Sequence, residues 1–240
     1  MITVNQGALR SALELVCRYG VARLDAPMHA QLITMRGHGD ILQLCGTDDS
    51  AIACALVSVI QADGDFRAGM WLIDAKKLMG SLQNPDAAVT LMDGSVVLDV
   101  TTDNRQDPYV NMGGSDEVAL LATVPADAAI VATVDLDALS HVARQASAYR
   151  NPYLVIRTGQ EVLASLWDEQ RMLARWTPVG SGGNEVTFIS VDPRYIAKFG
   201  GGRARVAWKM MGDIPLWWFD TGSTVLTVTP MAPRFEPWHR

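Results

Sequence analysis

Thr3-Val4-Asn5-Gln6-Gly7-Ala8-Leu9-Arg10-Ser11-Ala12 is answered, 130 residues further on, by Thr133-Val134-Asp135-Leu136-Asp137-Ala138-Leu139-Ser140-His141-Val142. The echo continues in the same order. Each copy next has a strand-like run closing on a glycine turn (Gln31 to Gly37; Tyr153 to Gly159), then a leucine-rich alternation ending in Asp48 or Asp168. Each then restarts a helix, with Ile73-Asp74-Ala75-Lys76-Lys77-Leu78 in the first half and Val191-Asp192-Pro193-Arg194-Tyr195-Ile196 in the second. Two tandem units of roughly 110–120 residues follow, a normal domain size. The turn-rich stretch holding Asn104, Asp107, Pro108, Gly113, Gly114 and Pro125 separates them, which puts the units at 1–113 and 130–240 with a connector over 114–129.

Four segments have helical spacing: 7–20, 74–83, 137–150 and 192–199. In the first, Leu9, Ala12, Leu13, Val16 and Cys17 form one apolar stripe and leave Arg10, Ser11, Glu14 and Arg18 on the other face. In the third, Leu139, Val142, Ala143 and Ala146 repeat the stripe, with His141, Arg144 and Gln145 outside it. The short helices turn Lys76 and Lys77, and Arg194 and Lys198, outward. Asp74 and Asp192 are expected N-caps, and Pro193 suits the first helical position. These four segments carry eight basic residues (Arg10, Arg18, Lys76, Lys77, Arg144, Arg150, Arg194, Lys198) against four acidic ones, in a chain of net charge −6. Taken alone, that asymmetry fits a surface that meets a polyanion and fits ordinary solvated helix faces equally well.

Between the helices the period changes to two. Strand-like segments lie near 28–36, 41–45, 51–60, 66–73, 88–92 and 95–101. In the second unit they lie near 152–158, 161–167, 171–179, 185–191, 204–209, 214–219 and 223–229. Asp93-Gly94, Gly180-Ser181-Gly182-Gly183 and Thr221-Gly222 are the expected turns. The fold class is therefore α+β, with two helices on antiparallel sheet in each repeat.

With 240 residues and 49% apolar content the chain can bury a full core, and it has no apolar run of about 18 residues. Met1 to Arg10 lacks the pattern of a signal peptide. Cys17, Cys45 and Cys54 occupy core-like positions with no Cys-x-x-Cys spacing, which implies reduced thiols in a cytoplasmic protein.

The residues resemble those of the DNA sliding clamps. Ile41-Leu42-Gln43-Leu44-Cys45-Gly46-Thr47-Asp48 is similar to the Leu-x-Leu-x-Ala-Thr-Asp stretch of the bacterial polymerase III β clamp. Leu163-Ala164-Ser165-Leu166-Trp167-Asp168 resembles the same element in a later domain. Val225-Leu226-Thr227-Val228-Thr229-Pro230-Met231 is similar to the family's closing strand. The resemblance covers both units. It departs in length, since bacterial β clamps have three such domains per chain, whereas the proliferating cell nuclear antigen and several phage clamps have two.

The resemblance implies a DNA clamp fold that assembles into a ring around double-stranded DNA and tethers a polymerase, with no enzymatic activity and no cofactor. The bore would be lined by Arg10, Arg18, Lys76, Lys77, Arg144, Arg150, Arg194 and Lys198. Helices pack about 8–10 Å apart, so eight of them form a circle too narrow for a duplex, while twelve leave a free bore of roughly 24 Å. The arithmetic sets three chains as the minimum, and the six-domain rings of the family select a homotrimer. The resemblance also implies that the polymerase and clamp loader bind by short peptides in an apolar pocket formed by Leu32, Thr47, Ile52, Val228, Thr229, Pro230 and Met231. Taken by themselves, Leu32, Ile52 and Val228 read as ordinary core residues sooner than as a pocket. Head-to-tail closure needs two different edges, expected near Tyr109 and Met112 and near Met172 and Trp176.

Other constellations offer less. His29, His38, His141 and His239 have no partner at metal-ligand or triad spacing. Gly200-Gly201-Gly202-Arg203 follows a helix and so reads as a C-cap and turn, not a phosphate cradle. A small hydrolase on a duplicated α+β scaffold, or a clamp-like scaffold that encloses no DNA, are the competing readings.

Overall fold

The computed structural model describes residues 1–23, 25–92, 95–98, 106–108, 116–168 and 171–231. The chain divides into two units, Met1–Thr123 and Val124–Arg240. The first runs β1 (Ile2–Asn5), α1 (Gln6–Val16), α2 (Met28–Gln31), β2 (Leu32–His38), β3 (Ile41–Thr47), β4 (Ala51–Ala62), β5 (Phe66–Trp71), α3 (Leu72–Ser81), β6 (Ala88–Met92), β7 (Ser95–Leu98), β8 (Gln106–Pro108) and α4 (Asp116–Leu121). The second runs β9 (Ala129–Asp135), α5 (Leu136–Arg144), a 3-10 turn (Gln145–Ala148), β10 (Tyr153–Arg157), β11 (Glu161–Trp167), β12 (Thr177–Gly182), β13 (Phe188–Val191), α6 (Pro193–Phe199), β14 (Arg203–Met211), β15 (Ile214–Asp220) and β16 (Thr224–Val228).

Strand pairing makes the repeat explicit. The first unit is ordered β5-β2-β3-β4-β1-β6-β7-β8 and the second β13-β10-β11-β12-β9-β14-β15-β16, antiparallel throughout. Adding eight to each label of the first order gives the second, so both units solve one packing problem the same way. The first strand of each unit ends in a side chain that caps the next helix. Asn5 accepts from Ala8 N at 3.0 Å, and Asp135 accepts from Asp137 N and Ala138 N at 2.9 and 3.1 Å.

Each helix pair covers one sheet face. In the first unit α1 lies on β3 and β4, and α3 packs on β2, β5 and α1; in the second α5 lies on β9, β11 and β12 with α6 against it. Leu9, Leu13 and Val16 are fully buried among Leu42, Leu44 and Met70 in the first core. Truncating Leu13 to Ala removes buried methyls the close-packed surroundings cannot replace, so we expect a loss of about 2–5 kcal/mol, read as a lower urea midpoint at unchanged slope.

Several expected elements differ in detail. Helix 7–20 ends at Val16 with Cys17 as its C-cap, and helix 137–150 becomes a 3-10 turn after Arg144. Asp74 is not a cap: β5 passes directly into α3, Trp71 holds the N-cap position, and Asp74 sits in the first turn bonded to Lys77 at 2.9 Å. Residues 28–31 are helical before β2 begins, and of the strand expected over 171–179 only the Trp167–Met172 bridge and the start of β12 form. Gly180 and Gly182 lie inside β12 instead of in a turn. Asp192 does cap α6, accepting from Arg194 N at 2.8 Å with Pro193 behind it, and Gly200 closes that helix at φ +126°. Within the expected connector, α4 packs on β2, β3 and β4 of the first unit.

Candidate nucleic-acid interface and partner cavity

Because the apolar stripes of the helices turn toward the sheets, their polar faces are left to solvent, and the eight basic residues singled out from the sequence are all exposed. In the first unit Arg10 donates to the Leu82 carbonyl at 3.3 Å and so ties α1 to the end of α3. Arg18 pairs with Glu14 and Lys77 with Asp74, each at 2.9 Å. These are exposed pairs of little energetic worth. Lys76 lies near the C-terminal end of α1. Burial pushes the Cys17 thiol up to about 11, against the opposing pull of the Lys76 charge.

In the second unit Ser140 on α5 donates to the Ile196 carbonyl of α6 at 3.2 Å, which locks the two helices side by side. Arg194 folds back on its own cap, with Nε 2.9 Å and Nη2 2.5 Å from Asp192 Oδ2. The Asp192 side chain is only 13% exposed, so this pair is better fixed than the others. Arg144 leaves α5 on its solvent side and Arg150 follows the 3-10 turn. Among the described residues no ion pair holds Arg10, Lys76, Arg144 or Arg150. These four guanidinium and ammonium groups are therefore available for an external anion without first breaking a salt bridge.

A second feature was not legible as one site in the sequence. The end of α5, the 3-10 turn, the start of β10 and the start of α6 enclose a cavity of about 830 Å³ in the second unit. Its apolar lining includes Ala146, Pro152, Tyr153, Pro193, Ala197 and Met231, and its polar groups include Arg144, Ser147, Asn151 and Arg194. A mainly apolar concavity with a few placed polar groups is the usual form of a recognition site. Met231 N donates to the Ser190 carbonyl at 2.8 Å, which fixes the end of the described chain against β13. Tyr149, also lining, donates its hydroxyl to the Leu173 carbonyl at 3.3 Å.

Of the seven expected pocket residues, Met231 lines this cavity. Val228 is buried in β16, and Thr229 and Pro230 are half-buried. Leu32 and Thr47 are each 3% exposed, and the Thr47 hydroxyl donates to the Ala51 carbonyl at 2.9 Å. Ile52 is half-buried opposite Thr47 in the β3–β4 ladder. The Asp192-Pro193 helix start and the tyrosines flanking Asn151-Pro152 were the available sequence signals for the cavity. At the expected subunit edges, Met172 is 42% exposed and Trp176 tilts against Trp167 with ring centroids 6.2 Å apart. Tyr109 and Met112 lie outside the described residues.

Among the described residues no cluster of three or more His, Cys, Asp or Glu is placed to hold a metal ion, and no helix is long and apolar enough to cross a membrane. No protein-family model matches the sequence, and no curated protein does. Solved structures do match in fold. The DNA polymerase sliding clamp of Bacillus subtilis superposes with a TM-score of 0.76 at 14% identity, over 96% of this chain and 64% of that one. The sliding clamp of Pseudomonas aeruginosa gives 0.73 at 15% identity, over 96% and 66%. The Helicobacter pylori β clamp, solved with a DNA ligase peptide bound, gives 0.64 at 12% identity, over 99% and 68%. The chain has the sliding-clamp fold and spans less than two thirds of the length of the Bacillus and Pseudomonas clamps.

Proposed function

We propose that this chain is a sliding clamp in which three copies, six units in all, close a ring around duplex DNA and hold a polymerase on its template. The observation that carries the reading is the duplicated unit itself: one strand order used twice, each time with a helix pair whose outer face presents cations. Those cations meet phosphates without reading bases, and phosphate contacts position a protein without specifying sequence. A few exposed lysines and arginines on an otherwise acidic chain hold DNA weakly enough to slide, while the closed ring prevents escape.

Ring closure uses two strand edges. Among the described strands, β8 has only β7 beside it and the Thr177 to Val179 part of β12 has only β11. Identical chains joined head to tail through two different edges form a closed ring, and Met172 and Trp176 lie just before the second of these edges in the sequence. Client proteins, among them the polymerase and the clamp loader, dock a short peptide. The cavity around Met231 has the size and apolar lining for one, and a flexible methionine at its edge suits more than one client. Val228, Thr229 and Pro230, which lead into Met231, belong to the same proposed docking region. The assembly works in the cytoplasm.

Light scattering on the purified chain should give about 78 kDa, three times 26.1 kDa. The ring should stay on a nicked DNA circle through gel filtration and be lost once the circle is linearised. A single-chain mass at working concentration, or equal retention on linear and circular DNA, would contradict the proposal.

A further inference from the structure

Cys45 on β3 and Cys54 on β4 stand directly opposite one another. Antiparallel partners alternate between hydrogen-bonded and non-hydrogen-bonded pairs, and the ends of this hairpin decide which kind these are. Asp48 N donates to the Ala51 carbonyl at 3.3 Å and Val59 N to the Asp40 carbonyl at 2.8 Å. Counting inward by twos from either end makes 46 and 53 a hydrogen-bonded pair and leaves 45 and 54 a non-hydrogen-bonded one. In that class the Cα atoms lie about 4.5 Å apart and the side chains approach most closely, inside the range a disulfide spans.

The surroundings agree. Both cysteines are free and each is 1% exposed. Cys54 donates its thiol hydrogen to the Ala55 carbonyl at 4.0 Å. The pair shares its sheet face with Gln43, whose side-chain amide donates to the Ala119 carbonyl of α4 at 3.3 Å. Cys17, at the end of α1, lies on the opposite face. The residue matching Cys45 in the second unit is Ser165, so the feature belongs to the first unit alone.

We propose that Cys45 and Cys54 are a latent disulfide, a modification site closed by hydrogen peroxide acting as a two-electron oxidant. One thiol loses its proton, and the thiolate attacks a peroxide oxygen; the S–O bond forms, the O–O bond breaks, and the departing hydroxide takes up that proton as water. The second sulfur then attacks the sulfenic sulfur, the S–S bond forms, and the expelled hydroxide leaves as water with the second thiol's proton. Two thiols and one peroxide thus give one disulfide and two waters. The neighbouring Cys54 thiol, reinforced by burial, holds Cys45 well above the ordinary thiol range, so the pair stays reduced until oxidant is abundant. Once formed, the bond closes a loop of about ten residues and favours the folded unit by something like 10- to 100-fold.

The test exposes the full-length chain to peroxide in native buffer, then unfolds and alkylates it for intact-mass measurement and peptide mapping. Expected are one peptide joining the Cys45 and Cys54 segments, alkylation at Cys17 alone, and a thermal midpoint raised by roughly 5 °C that dithiothreitol reverses. A Cys45→Ser chain should give no cross-link. Exposed Met28 and Met210 report that oxidant reached the protein. Three alkylated cysteines beside oxidised methionines, oxygen added to a single cysteine, a bond to Cys17, or a closed bond with no rise in midpoint would each overturn the proposal.

Discussion

Changing Arg10, Lys77, Arg144 and Lys198 together to glutamate will abolish retention on a DNA circle while leaving the protein folded. All four side chains are exposed on the solvent faces of helices, so none contributes to a core. The stability cost is small: Arg10 loses one hydrogen bond to the Leu82 carbonyl, and Lys77 loses an exposed pair with Asp74, about 1 kcal/mol each at most. Binding responds far more strongly. Each phosphate contact contributes about 0.9 to the slope of log affinity against log salt, and reversed charges repel the backbone as well as releasing it. A ring of three chains multiplies the change threefold, so apparent affinity should fall by at least about 10³-fold at moderate salt. Circular-DNA retention on a sizing column, with circular dichroism as the control for folding, reads both halves. If the variant is retained as well as the parent, the helices do not face DNA. If it leaves the DNA yet keeps the parent's mass, the ring reading stands.

What the sequence made legible was the duplication, because short strings that start helices and set strand alternation survive a repeat even when most side chains diverge. Asn5 and Asp135 cap equivalent helices, and Leu13 and Val142 fill equivalent stripes, which is enough to identify both units as the same fold. Less visible was α4. At six residues it is too short to be stable by propensity, and it is held by burial of Val118, Ala119 and Ala122 and by the reach of Gln43 to its backbone. The cavity was hidden for a related reason. Its walls come from 143–153, from 192–197 and from Met231, and only chain folding brings them together. Lumen candidates could be read one by one from helical period, but their mutual engagement could not: Arg194 is spoken for by Asp192, while Arg144 is not.

Gly180 records the opposite error, a glycine taken for flexibility where the fold requires closeness, and it predicts the largest loss of stability. In β12 it pairs with Val162 on one side and Val134 on the other. A Cβ placed on it would lie 2.1 Å from the Thr133 carbonyl oxygen and 2.8 Å from the Val134 Cα, both backbone atoms of β9. Backbone cannot swing aside as a side chain does, so β12 and β9 must separate, and β9 is the strand that also carries β14. Gly180→Val should therefore cost more than the 1–3 kcal/mol of ordinary overpacking, enough to approach the 5–15 kcal/mol that holds a domain together. Gly183→Val three residues away meets nothing within 4 Å and should be close to neutral. Thermal unfolding of the two variants separates the explanations. If Gly180→Val melts like the parent, the β9–β12 approach is not what the glycine serves; if Gly183→Val falls equally far, the run acts as a flexible turn after all. Because α5 rests on β9, β11 and β12, the same separation would also loosen the wall of the cavity and the helix that presents Arg144.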